Sequence, residues 1–269
     1  MSKTDTRIAS DGIRLRTRRW SPAARPRSAV VLVHGLAEHT GRYEHVGVGM
    51  AARGHAVVGS DLRGFGESEG RRAAIGSWDE YLDDLEGDLA TSRDFGVPVV
   101  LFGHSLGGLI ATSYALSGRP RPDLLVLSAP AIDSAIPAVK KVIARILGRF
   151  VPARELDNGL RGDQLSRDPS VGERYFTDPL VYPRTTLGMG RLALAAQAAA
   201  RRALPTLDRP TLVIHGGNDT IVPTRISEPF SNVAGVTRVV FPGFHHETLN
   251  EEGGALAIAT IADWIEARV

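Results

Sequence analysis

The 269-residue sequence predicts an α/β fold: a mostly parallel central sheet flanked by helices, with an inserted helical cap. Three observations predict it. Short apolar runs recur along the chain, continuous rather than alternating, as strands buried on both faces require. Most of these runs are separated by segments of helix length. The rhythm then breaks between about residues 130 and 205, where no buried-strand run occurs.

The elements follow in chain order. DTRIASDGIRLRTRRW places Asp11-Gly12 between two short runs and reads as a hairpin. SAVVLVHG, HAVVGSD, VPVVLFG, DLLVLSAP and TLVIHGG then repeat the buried-strand pattern, and VTRVVF reads as a later strand. Helix-length segments run from Trp78 to Asp94 and from Leu106 to Ser117. In the interrupted region, AVKKVIARILGRFV sets Val139, Val142, Ile143, Ile146, Leu147 and Phe150 at helical spacing, with Lys140, Lys141, Arg145 and Arg149 between them. The Ala-rich RLALAAQAAARRAL is a second helix there. The expected division is a core of residues 1–129 and 206–269 and a helical cap of residues 130–205. No internal repeat or low-complexity linker interrupts it.

Composition narrows the function. An apolar fraction of 43% at this length is enough for a full core. A formal net charge of +2 supplies no strong field for nucleic acid. Cysteine is absent, which excludes disulfides, thiolate metal sites and a cysteine nucleophile. MSKTDTRIAS lacks the apolar core of a signal peptide, and no apolar run reaches the ~18 residues of a membrane span, so a cytoplasmic location is expected.

GHSLGG, Gly103 to Gly108, follows the run VPVVLF and precedes the apolar LIATSYAL. This is G-x-S-x-G between strand and helix. A sharp turn there lifts the Ser105 hydroxyl above the sheet, Gly103 and Gly107 leave room for neighbouring backbone, and the following helix aims its N–H groups and positive dipole end at the reacting oxygen. A serine hydroxyl needs a base, and the base needs an orienting acid. Asp219 follows the strand TLVIHGG, and His245-His246 follow VTRVVF. The C-terminal ends of parallel strands gather on one edge of a sheet, so Ser105, Asp219 and one of the two histidines can meet there. Asp133, after DLLVLS, is the rival acid; the strand-loop context favours Asp219. Spacing does not choose between the two histidines. An oxyanion hole needs two backbone N–H groups. Leu106, directly after Ser105, supplies one, and Leu36, after His34-Gly35, is the candidate for the other. A metal hydrolase is discounted, because HETLN lacks the second His of H-E-x-x-H and His34 and His39 are five apart.

HGLAEHTGRY, DLRGFGESEG, GHSLGG, LSAPA, GGNDTIVP and HETLNE, in order from His34 to Glu251, resemble the monoacylglycerol lipases of the α/β-hydrolase superfamily, bacterial members above all. The resemblance implies an α/β-hydrolase fold and hydrolysis of monoacylglycerols to fatty acid and glycerol, with a lipid ester as the small-molecule partner and no cofactor or metal. It implies Ser105 as nucleophile, Asp219 as acid, His246 as base, and Leu36 and Leu106 as the oxyanion hole. It leaves His245 as a packing or rim residue. Glu38 and Arg42 match positions at the glycerol end, where they also suit a structural ion pair. Some members carry a polar residue three positions after the base; here it is Leu249. A carboxylesterase, lysophospholipase or peptidase shares the framework. A non-catalytic binding protein is disfavoured, because Ser, Asp and His are all present.

The basic amphipathic stretch Ala138 to Val151 has two readings. In the favoured one it is a cap helix with its apolar face over the acyl pocket and its charges in water. In the other it docks peripherally on anionic lipid.

Overall fold

Every run with the buried-strand pattern becomes a strand. The computed structural model describes residues 1–269. In order it has β1 (Lys3–Ile8), β2 (Arg14–Trp20), β3 (Ser28–Val33), α1 (Glu44–Ala52), β4 (His55–Ser60), α2 (Asp79–Arg93), β5 (Val99–His104), α3 (Leu106–Ala115) and β6 (Leu124–Ser128). Then come α4 (Ala138–Phe150), β7 (Glu155–Asp157), α5 (Gly162–Leu165), α6 (Pro169–Thr177), β8 (Arg184–Thr186), α7 (Leu187–Ala203), β9 (Thr211–Gly216), β10 (Val236–Phe241) and α8 (Gly254–Glu266). The main sheet has eight strands in the order β1-β2-β4-β3-β5-β6-β9-β10, with β2 antiparallel to both its neighbours, β1 and β4, and every other pair parallel.

The continuous apolar runs follow from this layering. Successive residues of a strand point to opposite faces. Val31 and Val33 of β3, Leu101 of β5 and Leu127 of β6 enter one core with Leu85 and Leu89 of α2 and Leu109 of α3. Val30 and Leu32, Val100 and Phe102, and Val126 face the other, against Met50 of α1 and Ile261 and Ile265 of α8. Both faces are covered, so every residue of β3, β4, β5, β6 and β9 is buried.

Residues 131–205 add no strand to this sheet; β7 and β8 pair only with each other. The segment is tied to two core loops. Tyr182 N–H donates to Ala37 O at 2.9 Å, and Glu247 N–H donates to Leu165 O at 2.8 Å. The Ala-rich helix α7 begins four residues before the sequence reading placed it, because the Thr186 side chain accepts Met189 N–H at 3.2 Å and caps its start.

One expectation is overturned. The apolar face of α4 does not cover the acyl pocket. Val139 is 71% and Phe150 75% exposed, and Val142, Ile143, Ile146 and Leu147 are exposed with them. The inward face is instead the row Lys141, Ala144 and Gly148. A Cβ at Gly148 would stand 2.4 Å from Leu187 O, so α4 lies on α7 through its smallest residue. That close approach turns the bulky apolar side outward. No helix is long and apolar enough to cross a membrane.

Candidate active site

The parallel register aligns the strand ends: Val33 is opposite Gly103, His104 opposite Ser128, and Gly216 opposite Phe241. The loops that leave these ends carry Leu36, Ser105, Asp219 and His246.

Ser105 sits at the β5–α3 turn with φ 51° and ψ −114°. A side chain is strained there by about 1–3 kcal/mol. The surrounding backbone holds it: Ser105 N–H donates to Ser128 O at 2.9 Å, and Ser105 O accepts from Leu109 and Ala131 N–H, each at 3.0 Å. The flanking glycines are required by space. A Cβ at Gly103 would meet Gly107 O at 2.3 Å, and one at Gly107 would meet Val33 O at 2.2 Å.

The structure resolves the histidine pair. His246 Nε2 is 2.9 Å from Ser105 Oγ, and its Nδ1 is 2.7 Å from Asp219 Oδ2. The carboxylate can only accept, so Nδ1 carries the proton and Nε2 is free to accept from the serine hydroxyl. His245 is turned away into a surface cleft with Asp163, Arg167 and Glu173, its N–H bonded to Glu251 Oε1 at 2.6 Å. Asp133, the rival acid, is engaged by Lys141 at 2.6 Å and by Arg201.

Electrostatics favour this arrangement. Burial opposes charge on Asp219, but His246, the His215 contact and the Val222 N–H outweigh it and hold the carboxyl well below its usual range. Burial likewise opposes charge on His246, yet Asp219 raises it above the usual 6.5. His104 is pushed down to about 4, first by burial and then by His246, whose ring centre is 4.9 Å away. It therefore stays neutral beside the reacting pair.

A further histidine, His215, lies at the end of β9 behind Asp219. Its Nε2 is 3.1 Å from Asp219 Oδ2 and 2.8 Å from Val222 O, and its Nδ1 is 2.8 Å from Ser227 Oγ. Two acceptors around Nε2 place its proton there, so His215 holds the Asp219 carboxylate from behind. The signal was a histidine ending a buried strand four residues before Asp219.

Leu36 N–H has no acceptor in the protein. Leu106 begins α3, so its N–H has no partner one turn back in the helix. A methyl at Gly35 would stand 3.4 Å from Ser105 Cβ, which sets the turn into Leu36 against Ser105. Over Ser105 and His246 is a cavity of about 60 Å³ with apolar walls from Leu36, Leu160, Leu165, Tyr175 and Ile221. Glu38 and Glu247 also border it; Arg42 does not and lies behind them, 2.6 Å from Glu38 and 2.7 Å from Glu247. Leu249 is buried in the core under α8. A larger cleft of about 490 Å³, lined in part by Arg63, Arg71 and Arg191, lies apart from Ser105. Its Arg63 is neutralised by Asp11, Glu80 and Asp84.

The Hydrolase_4 family, described as serine aminopeptidase S33, matches residues 24–253. The chain belongs to this family. It is 32% identical to a monoacylglycerol lipase of Mycolicibacterium smegmatis, over 94% of this chain and 93% of the relative. It is 32% identical to phospholipase YtpA of Bacillus subtilis, over 85% of this chain and 91% of that one. The crystal structure of a Paleococcus ferrophilus monoacylglycerol lipase superposes with a TM-score of 0.86 at 31% identity, covering 95% of this chain and 99% of that chain. The chain thus has the α/β-hydrolase fold, with Ser105, Asp219 and His246 on loops that leave the strand ends, where its sequence placed them.

Proposed function

We propose that this Hydrolase_4 member is a serine hydrolase that cleaves the ester bond of monoacylglycerols, releasing fatty acid and glycerol. The observation that carries the reading is the apolar-walled cavity directly over the Ser105–His246–Asp219 chain. His246 takes the Ser105 proton as Oγ attacks the ester carbonyl, and the Leu36 and Leu106 N–H groups receive the oxyanion. The C–O bond to glycerol breaks as His246 returns the proton to the leaving oxygen. Water, deprotonated by His246, then hydrolyses the acyl-serine and frees the acid.

The family description raises a peptidase. An aminopeptidase needs an uncommitted acidic group for the substrate's terminal ammonium. The carboxylates bordering the cavity, Glu38 and Glu247, are both paired with Arg42, and the remaining wall is largely apolar. That suits an acyl chain. A lysophospholipid is the second reading, favoured by the likeness to a phospholipase over most of both chains. Rates on monoacylglycerols of varied chain length, beside lysophospholipids, diacylglycerols and aminoacyl nitroanilides, test the choice. The highest kcat/KM on the monoacylglycerols is expected; a preference for nitroanilides overturns the proposal.

Residues 130–205 act as the cap in this reading, with Leu160, Leu165 and Tyr175 forming its underside over Ser105. The cap also meets lipid. The outward apolar row of α4 is flanked by exposed Lys140, Arg145 and Arg149, which matches an anionic lipid surface.

A further inference from the structure

Between the oxyanion turn and the loop of the base lies a buried charge cluster that the reaction above does not use. Arg42 Nη1 donates to Glu38 Oε2 at 2.6 Å and to Glu247 Oε1 at 2.7 Å, and Nη2 donates to Glu247 Oε2 at 2.9 Å. The side chains of Arg42, Glu38 and Glu247 are 10%, 4% and 5% exposed. Glu38 continues to the oxyanion turn: its Oε1 accepts Gly35 N–H and the Tyr43 hydroxyl, each at 2.6 Å. Glu247 directly follows His246 and also accepts from Asn250 Nδ2 at 2.8 Å. The Tyr175 ring closes over the guanidinium at 4.7 Å.

We infer that Arg42 is a positioning residue that locks the oxyanion turn to the loop of His246 through Glu38 and Glu247, and is not a contact for the leaving alcohol. The inference rests on the reading of Ser105 and His246 as the reacting pair. Three observations carry it. The guanidinium has carboxylates on two sides and an aromatic ring on a third, and it does not border the cavity. The two carboxylates belong to the two loops whose separation decides whether the N–H groups and the imidazole address one carbonyl. Without the cation between them, two buried negative charges would repel and drive those loops apart. Leu249, which faces the core, offers the alcohol no polar group from the same loop. The planar fork makes the Glu247 arm bidentate while Nη1 also holds Glu38; a lysine ammonium, a point charge on a flexible stem, does not reproduce that geometry.

The test compares wild type, Arg42→Lys and the isosteric Glu247→Gln, which keeps the Arg42–Glu38 arm and guards against loss of fold. Each is assayed on a monoacylglycerol, on the methyl ester of the same fatty acid, and for the rate of Ser105 modification by a fluorophosphonate. A displaced loop costs about tenfold to a hundredfold. That loss is expected in kcat for both esters alike, with KM little changed and the fluorophosphonate rate falling in parallel. In Glu247→Gln the acid limb of kcat/KM should also move to lower pH, because Glu247 is among the charges that raise His246. A rise in KM for the glycerol ester alone makes Arg42 an alcohol contact and overturns the inference, as do unchanged rates throughout. Failure of the fluorophosphonate to modify wild-type Ser105 removes the triad reading itself, and this inference with it.

Discussion

Ser105 holds a positive φ because the turn that raises its hydroxyl leaves no other path from β5 into α3. The same crowding makes Gly107 intolerant: Gly107→Ala drives a methyl into Val33 O and should yield unstable or inactive protein, read by thermal melting and ester hydrolysis. Ser105→Ala should keep the fold and abolish turnover of monoolein and nitrophenyl esters; wild-type rates in that variant exclude the mechanism. Asp219→Asn keeps the shape but can present N–H to His246 Nδ1, which favours the wrong tautomer. Its kcat should fall by about 10⁴. In the proposed mechanism His246 is a base only when neutral, and Asp219 raises its titration above 6.5 against the effect of burial. Activity should therefore rise with pH through a midpoint above 6.5. A midpoint below that value would show that Asp219 does not outweigh burial. Exchange of His245 for Ala should cost far less than exchange of His246.

At the scale of the element, α4 is the departure from expectation. Periodicity marked its two faces correctly but not which one turns inward. Gly148 and Ala144 allow α4 to lie close on α7, and that contact takes the narrow small-residue side, leaving Val139, Ile143, Ile146 and Phe150 in water. Ile143→Ser with Phe150→Ser should lower binding to anionic vesicles severalfold while leaving the melting temperature nearly unchanged, since neither side chain supports the fold. Salt should weaken wild-type binding through Lys140, Arg145 and Arg149. Equal vesicle binding by the double variant, measured by flotation, would remove the docking role. Hydrolysis of a short water-soluble ester should be unaffected, because no α4 residue lines the cavity.

Across the whole molecule, buried histidines set the response to acid. Burial lowers His34, His55 and His104, the last to about 4. Unfolding releases them to titrate near 6.5, so between about 6.5 and 4 the unfolded chain binds more protons and stability falls as pH falls. His246 opposes this: its raised value contributes stability below 6.5 that is lost as pH rises through the folded value. From the lowered histidines, His104 foremost, the expectation is a lower unfolding free energy at pH 5 than at pH 7.5 by chemical denaturation. His104→Leu should flatten that dependence, and equal stability at both pH values would contradict it. At about 60 Å³ the cavity over Ser105 is smaller than a long acyl chain, so in the proposed reading Leu160, Leu165 and Tyr175 move apart to admit one.

Residue order and apolar patterning carry most of this architecture. Continuous runs mean strands covered on both faces, and G-x-S-x-G between strand and helix puts Ser105 on the turn above the sheet, because these are local consequences of pleat and turn geometry. Ser105, Asp219 and the paired histidines were legible for that reason: parallel strands deliver their ends to one edge. Helices α1 and α8 and the steadying His215 carried weaker local signals. The choice of His246 over His245 is a matter of loop conformation, reachable from sequence by likeness alone. The clamp of Arg42 joins residues 38 and 247, and the outward face of α4 depends on its contact with Leu187. Both depend on distant segments meeting, which no local pattern encodes, so three-dimensional packing alone fixes them.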